Sequence, residues 1–526
     1  MKKIFFVFSL LISVQLALFA QADSAAKYGS TITAGGLKKH LTIIASDEMD
    51  GRETGTEGQR KAAIYIENQF KQFGLTQPEA LKGYQQYYPL YQDSLSGELI
   101  VNKKVAAYGA DYISPATNND NANIKAKKIV FAGYGIEDSA YNDYANMDVK
   151  GKVIVIFLGE PKKDGQFYIS GSNKYSKWTY PGLSVKLALA KSRGAAGVFV
   201  ISQIQDVFTQ KIIDNSKKTN LYFPHIDGGK PINYALISHA FAKSIIGNNF
   251  DTLLKQVKTG QPIAANYFAE NKIPVQFKYN KTRVIVNASN VLGVIEGSDK
   301  KDEYLFLTSH YDHLGNHNGK IYYGADDDGS GTCGVIAMAE AFAKAKAEGH
   351  GPRRTIVFMI VSGEEKGLWG SEYYSDHPVF SLDKTTADLN TDMVGRVDTE
   401  RKTGDTLNYV YVIGHDKLSS ELPGINEGAN NQNTQLVLDY KYDDPNDQNR
   451  IYYRSDHYNF ARKGVPILFF YDGMLKADYH QPTDTVDKIN FESYEKRMRM
   501  IFHTAWEIAN RNEMLKRDIP LTGGVR

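Results

Sequence analysis

Cysteine is almost missing from this chain: among 526 residues only Cys333 carries a thiol. No disulfide can close within the chain, and no cysteine stands near the N-terminus to take a lipid. An excess of one charge is missing too. Lysine and arginine number 62 against 60 acidic residues, and the first twenty residues hold Lys2 and Lys3 but no acid, so the remainder is balanced. Such a balance gives no electrostatic footprint for nucleic acid or an anionic membrane. Beyond residue 20 there is no apolar run long enough to cross a bilayer, no internal repeat and no low-complexity tract. What is present is 42% hydrophobic residues over a length that calls for a substantial core and more than one folding unit.

The opening M-K-K-I-F-F-V-F-S-L-L-I-S-V-Q-L-A-L-F-A joins two lysines to an apolar run and then small residues, the layout of a cleavable secretory signal. Cleavage is expected near Ala20 or Ala22, with residues 1–22 as the signal. The mature chain is expected in the periplasm or outside the cell, with no stable membrane insertion. A retained anchor is the alternative.

Residues 23–91 begin the main domain. Two helices joined by a loop are expected between 33 and 74, where Ala63, Ile64, Ile66 and Phe70 recur at helical spacing and Gly74 suits a C-cap. From 92 to 280 short β-rich runs separated by Gly, Asn and Asp turns suggest a separate inserted domain. In 281–526 strongly apolar strands alternate with helices, which predicts an α/β fold with a doubly wound mixed sheet covered on both faces. His310 ends one such strand, Glu364 and Glu365 follow another, and Asp392 closes a third. All are thereby brought to the carboxyl edge of the sheet, where such folds hold their chemistry.

Glu364 aside, these residues, with Asp326 in G-A-D-D-D-G-S-G and His480 in D-Y-H-Q-P-T-D-T, offer two imidazoles and three carboxylates. That set suits a pair of borderline ions such as zinc, provided one carboxylate is shared. Each part is ordinary alone. His310 and Asp312 form H-x-D, which in extended backbone puts both side chains on one face and lets Asp312 orient the imidazole. His313 and His317 read as surface loop residues. Asp328 reads as a helix cap, Asp326 as the metal-binding member of the triple aspartate, and Asp327 as a local structural residue. Glu364, beside the ligand Glu365, is free to take a proton from a bound water.

The motifs H-Y-D-H-L-G, G-A-D-D-D-G-S-G, G-E-E-K-G-L-W-G-S, D-M-V-G-R, S-D-H-Y-N-F and D-Y-H-Q-P-T-D-T resemble the dinuclear zinc exopeptidases related to bacterial leucyl aminopeptidase. The similarity covers most of 33–92 and 280–515. Between them, F-A-G-Y-G-I-E-D-S-A-Y-N-D-Y and R-G-A-A-G-V-F-V-I-S resemble a protease-associated domain inserted in such enzymes. The resemblance implies Asp326 as the bridging carboxylate, His310 and Asp392 completing one zinc site, Glu365 and His480 the other. It also implies Glu364 as general base, Asp312 as orienting residue and a cis peptide at Asp326–Asp327. The approach to His480, Y-D-G-M-L-K-A-D-Y-H, is longer than that family's pattern. Asp456 and His457 fall near the family's substrate pocket.

The expectation is an exported aminopeptidase with two Zn²⁺ per chain, acting on peptides with a free N-terminus. Three alternatives stand beside it: a carboxypeptidase, for which Arg396 or Arg454 could receive a substrate carboxylate, a glutaminyl-cyclase-like enzyme on the same fold, and a peptide-binding relative without catalysis.

Overall fold

The computed structural model describes residues 24–203, 208–224, 232–263 and 270–521; the signal assigned to residues 1–22 lies outside them. The chain divides into two compact units, 1–89 with 287–526, and 90–286. The sequence reading put these boundaries at 91/92 and 280/281.

The first unit is built on a mixed sheet whose centre is parallel. The strand Lys300–His310 lies between Arg354–Val361 and Thr385–Thr391, parallel to both, and Ile467–Tyr471 extends the sheet parallel to Thr385–Thr391. Tyr409–Ile413 runs antiparallel to Ile467–Tyr471, and the Val291–Ile295 segment antiparallel to Arg354–Val361. Alternation along these strands feeds two cores. Leu305, Leu307, Ile356, Phe358 and Leu389 point into one, while Phe306, Val357, Met359, Phe469 and Tyr471 point into the other. With both faces dry, the strands read as continuous apolar runs, and each large apolar side chain so buried contributes about 1.5–3 kcal/mol.

Helices Ala34–Ile44, Glu57–Phe73, Gly329–Ala347 and Phe491–Asn510 supply the first core. Ala63, Ile66 and Phe70 are buried as their spacing predicts, Ile64 is exposed, and Gly74 caps its helix at φ 79°. Trp369–Asp376 and His457–Ala461 contribute to the second. Register fixes the site: His310 pairs with Val361, Thr308 with Asn390, and Thr391 with Phe470. His310, the turn at Glu364 and Glu365, Asp392 and Asp472 therefore emerge together at one sheet edge.

The second unit is less β-dominated than its turn-rich sequence suggests. Its six-stranded sheet has a parallel centre, Ile129–Phe131, Val153–Phe157, Gly197–Ile201 and Tyr234–Ile237, with helices Leu183–Ser192, His239–Ile246 and Phe250–Lys258. The runs V-I-V-I-F and G-V-F-V-I lack polar alternation because both faces are buried. In the G-Y-G-I-E stretch, Asp143 accepts from the N–H groups of Tyr134 and Ile136 and from the Tyr141 hydroxyl, so this motif serves the fold.

Candidate metal centre

Loops hold the site, and two buried side chains from the N-terminal segment tie them together. The guanidinium of Arg52 donates to the carbonyls of Tyr311, Ile44, Tyr323 and Gly324 at 2.7–2.9 Å. It thus fastens the H-Y-D-H turn to the G-A-D-D-D turn. Thr54 donates to Asp312 Oδ2 at 2.7 Å and accepts from Gly363 N at 2.9 Å, while Asp312 Oδ1 accepts from Glu364 N. Asp312 is therefore a hub between the His310 and Glu364 loops. Its carboxylate stands 3.6 Å from His310 Nδ1, and its own carbonyl lies nearer that nitrogen, at 3.1 Å.

The three consecutive aspartates have three fates. Asp328 caps the helix Gly329–Ala347, accepting from Gly331 N at 2.7 Å, and also receives Met393 N and His310 N. Gly331 is needed there, because a Cβ would meet the Thr391 carbonyl at 2.3 Å. Asp327 is the carboxylate that faces both imidazoles: Oδ1 lies 3.4 Å from His310 Nε2 and Oδ2 lies 3.2 Å from His480 Nε2. Asp326 turns away, its Oδ1 accepting from Gly395 N at 2.8 Å and from the Ser330 hydroxyl.

The assignment of Asp326 as shared carboxylate and of Asp327 as a structural residue is corrected by this geometry. The helix cap fixes Asp328, and counting back from it the inward-facing position is 327. The cis peptide is likewise at Asp327–Asp328, one position beyond the expected Asp326–Asp327.

Around Asp327 two groups of donors converge. His310 Nε2 lies 3.6 Å from Asp392 Oδ1 and 3.8 Å from Glu364 Oε2. On the other side His480 Nε2 lies 3.2 Å from Glu365 Oε2. His313, expected in a surface loop, is fully buried with Nδ1 2.8 Å from Glu365 Oε1, whereas His317 is exposed. Of the seven sequence-assigned residues, then, His310, Asp312, Glu364, Glu365, Asp392 and His480 come together and Asp326 does not. Asp327 and His313 were missed. The signals were present as the middle aspartate of D-D-D and the second histidine of H-Y-D-H, but neither spacing distinguishes them from their neighbours.

The donor set fits cations. His310 Nε2, His313 Nδ1, Asp327 Oδ2 and Glu365 Oε1 are all buried without a hydrogen-bond partner, though they stand close to one another. Atoms arranged around a shared ion do this, whereas buried polar groups otherwise find partners. The ionisation pattern agrees. Burial works against a charged His480, yet Asp327 and Glu365 outweigh it and raise the imidazole to about 10. Burial pushes Asp327 up, and the imidazoles of His310 and His480 more than reverse it, holding the carboxylate well below its usual range. Burial lifts Glu364 well above the ordinary range, with Asp392 and Glu365 adding to the push. Of Asp327, Glu364 and Glu365, only Glu364 is thus inclined to hold a proton.

A cavity opens on this edge, lined by Asp327, Glu364 and Asp392 and walled by Ile451, Phe469, Tyr471, Leu475, Arg454 and Tyr479. Arg454 donates to the Tyr479 hydroxyl at 2.8 Å, and the Tyr479 ring stacks on His480. Arg396 points elsewhere, paired with Asp478 at 2.8 Å. Asp456 is buried against the Ser371 hydroxyl, and His457 donates through Nε2 to the Tyr452 carbonyl while stacking on Phe469. His457 thereby backs Phe469, a residue of the cavity wall. In the second unit His239 bonds the Ser202 carbonyl, and His225 lies outside the described residues. Among the described residues no helix is long and apolar enough to cross a membrane.

The sequence model of Peptidase family M28 matches residues 290–505. A probable leucine aminopeptidase of Arthroderma otae is 28% identical over 229 residues, 42% of this chain and 58% of that protein. A probable glutamate carboxypeptidase of Arabidopsis thaliana is 34% identical over 119 residues, 22% of this chain and 16% of that protein. Among solved structures, an aminopeptidase of an Aneurinibacillus species is 18% identical with a TM-score of 0.49, over 94% of this chain and 98% of that one. The chain thus spans less than two thirds of the length of these curated relatives. Residues 290–505, the stretch that this family model matches, carry every donor of the candidate centre.

Proposed function

We propose that this chain is an exported two-zinc aminopeptidase. The observation that carries the reading is the ring of buried, partnerless donor atoms around Asp327 with Glu364 standing beside it in an open cavity. His310, Asp327 and Asp392 would hold one ion, and Asp327, Glu365 and His480 the other, with Asp327 shared. Two zinc ions so held would acidify a water and polarise the scissile carbonyl.

Glu364 has the position and the ionisation for the proton work. Its carboxylate, raised by burial first, binds a proton readily, so it can take one at Oε2 and hand it to the departing amine. Tyr479 offers an O–H at the cavity wall, and the guanidinium bonded to its oxygen strengthens it as a donor toward developing negative charge. Ile451, Phe469 and Leu475 exclude water and present an apolar wall to a substrate side chain.

A second reading, carboxypeptidase, is favoured by one specific observation: Arg454 lines the cavity and could receive a terminal carboxylate. The aminopeptidase reading draws support from the four carboxylates Asp327, Glu364, Glu365 and Asp392, which suit an ammonium group, and from the Arg454 bond to Tyr479, which already engages that cation. Matched peptides decide. Acetylating the N-terminus should abolish cleavage and amidating the C-terminus should leave it intact; the opposite pattern transfers the assignment to carboxypeptidase.

A further inference from the structure

We infer that His313 is a fourth protein ligand of the second metal site, making that site closed where its neighbour is open. The inference rests on the two-metal reading above and adds a residue which that reading leaves out.

The geometry is that of donors around one centre. Ligands of a tetrahedral zinc at about 2.0–2.1 Å stand about 3.3 Å from one another. His480 Nε2 is 3.2 Å from Asp327 Oδ2 and 3.2 Å from Glu365 Oε2. His313 Nδ1 is 2.8 Å from Glu365 Oε1 and 3.9 Å from Asp327 Oδ2. These separations scatter about the tetrahedral edge. The two rings are 5.9 Å apart and inclined at 71°, so they do not stack, and His313, Asp327 and Glu365 each bring one donor atom within 4.8 Å of the others.

The simpler account is a hydrogen bond from His313 to Glu365, and one detail opposes it. At 2.8 Å the two atoms are close enough, yet both remain without a hydrogen-bond partner because the N–H direction does not meet the oxygen. Proximity without alignment is what two ligands of a common ion display. The ring is also firmly placed. A Cβ at Gly324 would lie 2.5 Å from His313 Cγ, so glycine there makes room for it, and His313 N donates to the Arg52 carbonyl. His313 is wholly buried, and its nitrogens find no other protein partner.

With His313 the second site has the four-ligand closure of a structural zinc, while His310, Asp327 and Asp392 leave a position free on the first, as catalytic sites do. The two ions would then divide their work, the second held tightly and the first open to substrate.

The test uses the zinc-loaded chain with His313→Asn and His313→Cys, dialysed against graded chelator with the retained metal counted. Wild type should hold two ions. His313→Asn should release one at more than about 100-fold higher free zinc, beyond the roughly 10–100-fold effect of losing a residue that only orients a ligand. His313→Cys, loaded with cobalt, should retain both ions and show a thiolate-to-cobalt charge-transfer band. Fewer than two ions in wild type overturns the two-metal reading itself. Two ions in wild type, unchanged release from His313→Asn and no band in His313→Cys overturn the role of His313 alone. Should the cysteine variant not fold, zinc-soaked wild-type crystals decide: a metal–Nδ1 distance near 2.0–2.1 Å upholds the ligand, and one beyond about 3 Å overturns it.

Discussion

Two clusters of buried acids meet at the Asp326–Asp327 peptide, and they are held in opposite ways. On one side Asp326, Asp472 and Asp484 are answered by the protein. Asp472 accepts from Arg396 N and Met474 N with Arg497 3.9 Å away, Asp484 accepts from the N–H groups of Asp326 and Asp327, and Asp326 accepts from Gly395 N. On the other side Asp327, Glu364, Glu365 and Asp392 face imidazoles and one another, and partnerless atoms remain. On the first side Asp326 Oδ2 is the one carboxylate oxygen of the three acids left without a hydrogen-bond partner, whereas on the second His310 Nε2, His313 Nδ1, Asp327 Oδ2 and Glu365 Oε1 all lack one, so folding nearly completes the first cluster and leaves the second for something bound. Identity as aspartate says nothing about which cluster a residue joins.

The largest test of this contrast exchanges one oxygen for nitrogen on each side. Asp327→Asn should remove binding of both ions and with it several kcal/mol of transition-state stabilisation, a loss of about 10³-fold or more in kcat/KM. Asp326→Asn should stay within about tenfold of wild type. Burial first, and then Asp472 and Asp484, push the Asp326 carboxyl well above its usual range, which favours the neutral form that an amide imitates. Metal counting and steady-state kinetics on both variants suffice. Equal losses would mean that the two clusters act as one.

A smaller separation is expected within the second cluster. Glu364→Gln should keep both ions and lower turnover by about 10²–10⁴-fold, the span for losing a general base. Glu365→Gln should lower metal content instead. If Glu364→Gln also lost metal, its carboxylate would be a ligand, and the proton acceptor would have to be sought elsewhere.

Why the strands and most donors could be read from sequence, and Asp327 and His313 could not, follows from the same contrast. Strands covered on both faces announce themselves as apolar runs, and donors that end those strands inherit their positions from register, as His310 and Asp392 do. Asp327 and His313 lie in turns, where no periodicity relates position to direction. Which aspartate of three faces inward depends on Asp328 capping its helix and on Asp484 reaching back from a loop far along the chain. Arg52 and Thr54 were hidden for a related reason: the Tyr311, Tyr323 and Gly324 carbonyls and the Asp312 carboxylate through which they act lie more than two hundred residues away. The second unit misled differently, since its turns are conspicuous and its parallel pairing is not.

The smallest expected effect concerns an imidazole outside the metal centre, bonded by the protein through one nitrogen. His457 bonds the Tyr452 carbonyl through Nε2 and is fully buried, and burial depresses it to about 3. Unfolded, it titrates near 6.5. Between those values the unfolded chain takes up a proton that the folded chain refuses, so stability should fall as pH drops from about 6.5 toward 3, and this contribution should be constant above 6.5. His457→Gln keeps an N–H for the carbonyl and cannot titrate. Urea unfolding of the metal-free chains should therefore give converging stabilities at neutral pH relative to pH 5, where the variant gains about 1–2 kcal/mol on wild type. Metal-free chains are needed because ion release would add its own slope. The site imidazole His480 does not contribute across this window: its folded value is raised to about 10, so its stabilisation is complete below 6.5 and is lost progressively as pH rises from 6.5 through 10. A variant whose difference from wild type did not change between pH 7 and 5 would show that His457 reaches solvent, and would remove the distinction between an imidazole that burial holds neutral and those that the site carboxylates hold charged.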